Sequence, residues 1–181
     1  MQQRIEIGLL KGMMALRPGF RALEVGCGRG AGASLILKEF RPALLHALDL
    51  DIRMVQIAKR YLSPKEREKV SLCTGDIFRL PFKDGTMDAV FGFGVLHHAV
   101  DWRGSLAEIA RVLKTGGAYF TEEYYPSLYQ NFIIRRILLH PTRDRFSSHD
   151  LREALKRVKM PIRNAIDFKK LGILAVAVKG E

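Results

Sequence analysis

Short apolar runs alternate with amphipathic stretches along most of the chain, which predicts alternating strands and helices. RALEV (21–25) has the character of a buried strand, and ASLILKEF (33–40) of the helix after it. ALLHALDL (43–50) predicts a second strand. Asp51 then stands where a helix N-cap belongs, ahead of Met54, Val55, Ala58 and Tyr61. VSLCTG (70–75) predicts a third strand, MDAVFGFGVLH (87–97) contains a fourth, and AYFTEEY (118–124) is a fifth. Between the last two, SLAEIARVL (105–113) has helical spacing, and the glycines of KTGG are expected to end it. Alternation of this kind implies an α/β fold with a mainly parallel sheet covered on both faces.

The rhythm changes after residue 125. PSLYQNFIIRRILLHPTRDRF (126–146) predicts a helix and a proline-containing loop, and Ser148 is expected to cap a helix through HDLREALKRV (149–158). IRNAIDFKK and GILAVAVKG, separated at Leu171 and Gly172, predict an antiparallel hairpin. At the other end, Ile5, Leu9, Met13 and Leu16 predict an N-terminal helix over about 2–16. No repeat or long linker divides the 181 residues, so a single domain over 1–181 is expected.

No apolar run approaches the roughly 20 residues that cross a bilayer, and charged residues interrupt any secretory signal. Cys27 and Cys73 are too few for a disulfide framework or a zinc cluster, so no metal is expected and a cytoplasmic setting is the natural expectation. The net charge is +11, and it is uneven: from Ser127 onward 12 Lys and Arg face 5 Asp and Glu. A basic C-terminal third suits nucleic acid, an anionic lipid or an acidic substrate, and equally a solvated surface.

LEVGCGRGAG (23–32) carries the clearest chemical signal, a strand that ends in four glycines at alternate positions. Gly26, Gly28 and Ala31 satisfy G-x-G-x-x-A, the turn that receives a dinucleotide pyrophosphate. Glu24, Gly26, Gly28 and Gly30 equally satisfy E-x-G-x-G-x-G. An acid two residues before the first glycine is a poor neighbour for a pyrophosphate and a good one for a cationic ligand, which favours the second pattern. Asp49, 18 residues beyond Ala31, suits a ribose-binding acid under either.

LEVGCGRGAG, ALDLDIRMVQIAKR, TGDIFRLPFKDGTMDAV, GVLHH and EIARVLKTGGAYFTEE follow one another in the order and spacing of the class I S-adenosylmethionine-dependent methyltransferases. From about Arg21 to Glu122 the chain resembles their type 11 group, which is similar to the ubiquinone and menaquinone biosynthesis methyltransferases. The resemblance implies a Rossmann-like, doubly wound, mainly parallel seven-stranded sheet with a reversed last strand in the C-terminal hairpin. It also implies S-adenosyl-L-methionine as cofactor. Gly26, Gly28 and Gly30 would let the turn approach its methionine part, with Glu24 near the amino group. Asp49 would accept from the ribose hydroxyls, and Leu50 and Met54 would pack on the adenine or its ribose. Asp76, with the Ile77 amide, would take the adenine amino group, and Phe93 would lie near the transferred methyl. Read singly, Asp49 or Asp51 could cap a helix, Asp76 could serve a turn and Phe93 could be core.

Methyl transfer needs chiefly an in-line nucleophile in a site that excludes water, and a base only where the acceptor keeps its proton. His97, His98 and Tyr124 are the candidates for that base, and no catalytic residue is assigned. No [DN]-P-P-[YF] run and no Pro-Cys nucleophile is present, which disfavours exocyclic-amine and pyrimidine carbon-5 acceptors. A small-molecule acceptor, anionic or aromatic, is expected. Its specificity would come from the N-terminal helix and a substrate-side insert, 124–146, where Tyr124, Tyr125, Tyr129 and Phe132 stand beside Arg135, Arg136, His140, Arg143 and Arg145. Equally, Phe132, Ile133, Ile137 and Leu138 could form a packed face with the arginines in water. The alternatives are an RNA or protein methyltransferase using the basic third, and a module that binds the cofactor without chemistry. Little chain is left for a lid, so an open pocket and a homodimer in which a second subunit completes it both fit the same reading.

Overall fold

Continuous apolar runs belong to strands buried on both faces, and they form the centre of the sheet. In a computed structural model, which describes residues 2–129, 145–169 and 171–181, α1 (Gln2–Met13) precedes β1 (Arg21–Val25), α2 (Ala31–Glu39), β2 (Leu44–Asp49) and α3 (Ile52–Tyr61). There follow α4 (Pro64–Arg67), β3 (Val70–Thr74), β4 (Met87–Phe93), a 3-10 turn (Leu96–His98), α5 (Trp102–Val112) and β5 (Leu113–Tyr124). The last elements are α6 (Pro126–Tyr129), α7 (Ser148–Arg157), β6 (Ile162–Asp167) and β7 (Gly172–Val178). The seven strands form one sheet in the order β3-β2-β1-β4-β5-β7-β6. β1 to β5 are parallel, and β7 runs antiparallel between β5 and β6, as expected of a doubly wound sheet with a reversed last strand.

Two apolar layers hold the helices to the sheet. Leu10 of α1, Ala33 and Ile36 of α2 and Ala58 of α3 pack on one face, around Phe91 and Phe120, whose rings stack at 4.8 Å with Phe40 edge-on to both. Trp102, Leu106 and Ile109 of α5 and Leu151 and Leu155 of α7 cover the other face. Tyr125 and Phe146, near the two ends of the insert 124–146, belong to this second layer, and Phe146 lies 4.7 Å from the Trp102 ring. They are core residues and not pocket aromatics. Most of the remaining insert residues named above, Phe132 to Arg143, lie outside the described residues, as does the Tyr129 side chain.

Two expectations are corrected. KTGG does not follow the helix as a glycine cap: α5 ends at Val112 and Leu113 is already extended, so Lys114 to Gly117 belong to β5. The irregular register beside Met87 and Ala89, with Gly116 at φ 77°, is what uses those glycines. The last carbonyls of α5 accept instead from Gly85 N and Thr86 N. The cap of α7 is Ser147 and not Ser148. Ser147 Oγ accepts from Asp150 N, and Asp150 returns the bond to Ser147 N at 2.9 Å, a reciprocal capping box. Ser148 instead donates to Asp167 at 2.8 Å and ties α7 to β6. Ser147→Ala is therefore expected to lower stability by about 1 kcal/mol in urea unfolding, whereas a loss at Ser148 alone would return the cap to that residue.

Candidate functional site

The chain builds outward from β1 to β3 and then returns to place β4 on the other side of β1. Loops after β1 and β4 therefore diverge, and this reversal opens a crevice beyond the carboxyl ends of the strands. A cleft of about 550 Å³ lies there. Gly26 lines it from β1, Asp49 and Leu50 from β2, Asp76, Ile77 and Phe78 from the loop after β3, and Val95, His98 and Val100 from the segment after β4. Five of the residues offered for a cofactor, Gly26, Asp49, Leu50, Asp76 and Ile77, thus share one wall. Glu24, Gly28 and Gly30 belong to the end of β1 and the turn behind it. Met54, in the first turn of α3, and Phe93, 6.3 Å from the Phe91 ring, are half-buried and do not line the cleft.

The turn after β1 is shaped by more than packing. A side chain at Gly26 (φ 69°) would meet Val95 at 2.6 Å, so that glycine is required by the protein itself. Gly28 (φ 50°) has no heavy atom within 4 Å of where a Cβ would stand, so its bare backbone faces open space. Asp49 holds this turn in place: Oδ2 accepts from Gly28 N at 2.8 Å and Oδ1 from Asp51 N at 2.9 Å. Each oxygen keeps a further acceptor position. Asp51, not Asp49, is the helix cap, accepting from Arg53 N at 2.9 Å. Asp76 does serve a turn, accepting from Phe78 N at 2.9 Å, while also lining the cleft. Its loop is anchored downstream by α5, where Glu108 accepts from Leu80 N and Arg111 donates to the carbonyls of Leu80 and Phe82.

Glu24 is 2% exposed, and its Oε2 has no hydrogen-bond partner. Burial, reinforced by the negative Asp49, pushes its carboxyl up to about 8. A Cβ at Gly32 would come within 2.0 Å of Glu24 Oε1, so α2 leaves its space at this position to the carboxyl group. An orphaned buried oxygen is costly in the free protein and would be relieved by a cationic group. Open space at Gly28, further acceptor positions on Asp49 and the unpartnered Glu24 oxygen suit a nucleoside bearing an ammonium group.

The candidate bases separate. His98 is exposed on the cleft wall. His97 is buried, with Nδ1 2.8 Å from Glu123 Oε2, and its ring lies 5.7 Å from that of Tyr124. The Tyr124 hydroxyl donates to Glu122 on the wall of a second cavity of about 220 Å³, which Glu6, Phe168 and Leu171 also line. Burial, opposed by the Tyr124 bond and reinforced by Glu6, pushes Glu122 up to about 7. Glu123, which sequence reasoning missed, accepts from the backbone N–H of Val95, Leu96 and His97 as well as facing the His97 ring. An acidic pair inside an otherwise apolar strand was the available signal. Arg145 donates to the carbonyls of His97 and Ala99, so it too braces the segment after β4.

Residues 23–121, more than half of the chain, match the family model described as a methyltransferase domain. The chain belongs to the methyltransferase-domain family. This methyltransferase domain is 33% identical over 114 residues to the sterol 24-C-methyltransferase ERG6B of Gibberella zeae, covering 61% of this chain and 29% of that protein. It is 38% identical over 108 residues to the fatty-acid O-methyltransferase of Mycolicibacterium smegmatis, covering 60% and 38%. The matches thus span 29% to 38% of the length of these curated relatives. In fold it is similar to phosphoethanolamine N-methyltransferase 2 of Haemonchus contortus in complex with S-adenosyl-L-methionine, at a TM-score of 0.78 and 17% identity, over 98% of this chain and 52% of the other. Among the described residues no helix of the methyltransferase domain is long and apolar enough to cross a membrane.

Proposed function

We propose that this chain binds S-adenosyl-L-methionine in the cleft at the β1–β4 switch and transfers its methyl group to a small, largely apolar acceptor. The observation that carries this reading is the meeting of Gly26, Asp49 and Asp76, from three different strand ends, on one cleft wall. When bound, the cofactor supplies a methyl group already activated as an electrophile on a sulfonium. The chain supplies the rest. Asp49 accepts from the ribose hydroxyls, Asp76 and the Ile77 amide meet the adenine edge, and Leu50, Ile77 and Phe78 exclude water from its faces. Glu24 receives the ammonium group. His98 is the imidazole on the cleft wall placed to take a proton from an acceptor, while His97 and Glu123 position the segment that carries it.

An apolar acceptor is favoured by the relatives, which are named for sterols and a fatty acid. A macromolecular acceptor has the net charge of +11 behind it, but Arg145 is engaged with backbone carbonyls. Transfer of labelled methyl from the cofactor to a panel of sterols, fatty acids and small phenols, with transfer RNA in parallel, tests the assignment. Label is expected in an apolar small molecule. Asp49→Ala should raise KM for the cofactor by about five- to 150-fold, from about 1–3 kcal/mol of lost charge-assisted bonding, with a smaller change in kcat. Label entering RNA alone would reassign the acceptor class, and binding without any transfer would leave a cofactor-holding module.

A further inference from the structure

The far edge of the sheet is not part of the cleft and has its own chemistry. β6 is the last strand in the order, and Arg163 to Asp167 are all exposed. Phe168 N donates to Gly172 O at 2.9 Å, so by alternation Ile166 and Asn164 also turn their backbone groups toward β7. The N–H and C=O of Ala165 and Asp167 then point away from the sheet, a row of groups open to another strand. The bulge between Ile162 and Asn164 falls at Arg163, and the strand is regular from Asn164 to Asp167.

Side chains alternate in the same way. Asn164 Nδ2 donates to Met13 O at 2.8 Å, which sets Asn164, Ile166 and Phe168 on the α1 side of the sheet. Asp167 reaches Ser148 and Arg152 on the opposite side. α1 buries Ile7 and Leu10 but leaves Ile5 59% and Leu9 41% exposed, one helical turn apart. That flank adjoins Glu6, which shares a cavity wall with Phe168 and Leu171, and Met13, whose carbonyl Asn164 holds. Ile166 is 37% and Phe168 43% exposed. An exposed apolar stripe therefore runs along a strand edge that pairs with no other strand among the described residues.

We propose that this edge is the contact between two copies of the chain, joined antiparallel through β6 into one continuous sheet. Two-fold pairing about Ala165 brings Arg163, at the bulge, near Asp167 of the second copy twice, so the edge is complementary in charge to itself. The axis is normal to the sheet, so both α1 helices stand on one face and their Ile5 and Leu9 flanks meet above Ile166 and Phe168. A lipid surface would leave the outward backbone groups of Ala165 and Asp167 unsatisfied, and a second β6 satisfies them. The inference does not depend on what the cleft binds.

Sedimentation equilibrium across the micromolar range, with melting temperature as the folding control, tests it. The wild-type chain is expected to dimerise. Ala165→Pro removes a donor that β7 does not use, and should weaken the dimer by about tenfold or more at unchanged melting temperature. Arg163→Glu, at an exposed position, should weaken it similarly by setting two acids together across the pair. A wild-type chain that stays monomeric overturns the proposal, as does a dimer indifferent to Ala165→Pro and to Arg163→Glu. Monomers that sediment with anionic phosphatidylglycerol vesicles through Ile5 and Phe168 would assign the stripe to a lipid surface and overturn it as well.

Discussion

Glu24→Gln is expected to stabilise the free protein and to weaken its binding of S-adenosylhomocysteine. In the folded chain the Glu24 carboxyl is raised from an ordinary 4.5 to about 8, by burial first and then by Asp49. The native state therefore keeps a proton that the unfolded chain gives up above pH 4.5. Its contribution to stability is full below that value and is lost as pH rises through about 8. Gln is neutral in both states and has no such loss. The variant should match the wild type near pH 4.5 and exceed it by about 3 kcal/mol at pH 7, read by urea unfolding at the two pH values. Without a charge to meet the ammonium group, affinity for the ligand should fall about tenfold or more. Equal stability differences at both pH values would mean that the carboxyl ionises normally, and undiminished affinity would remove Glu24 from the ligand.

Glu123→Leu is expected to destabilise the fold strongly. The carboxylate is fully buried and takes the Val95, Leu96 and His97 amides at 2.9–3.2 Å and His97 Nδ1 at 2.8 Å. Leucine leaves three backbone donors and an imidazole without an acceptor in the interior, a loss of about 3–5 kcal/mol. The melting temperature should fall by about 10 °C. The segment after β4 walls the cleft, so ligand affinity should fall as well. Glu123→Gln keeps one acceptor oxygen and should lose less than Leu. A loss within about 1 kcal/mol for both would show that the turn after β4 holds itself.

Where a pattern was local, it was legible in the sequence. RALEV fixes β1 to the residue because an apolar run is bounded there on both sides. Local signals failed where one residue type serves two structures. The glycines of KTGG suit a helix end and a strand irregularity equally, and the register of β4 against β5 decides between them. Ser147 and Ser148 are both capable caps, but only Ser147 stands three residues before Asp150, a spacing visible in the sequence and overlooked. At the site, Asp49 and Asp76 were reached through motif order, yet the bond from Gly28 N that makes Asp49 a brace for the glycine turn needs the sheet to bring residues 21 positions apart together. Glu123 shows the limit most clearly: its partners lie 26 to 28 residues away, and no spacing within β5 announces them.

Isothermal titration with S-adenosylhomocysteine and, separately, with NAD puts the central claim to its most direct test. Gly28, Asp49 and Glu24 suit a nucleoside with an ammonium group and suit a pyrophosphate poorly, so micromolar binding of S-adenosylhomocysteine is predicted, with none for NAD at the same concentrations. Asp49→Ala should weaken the former by about tenfold or more. Binding of NAD alone, or an affinity for S-adenosylhomocysteine that Asp49→Ala leaves unchanged, would contradict the account.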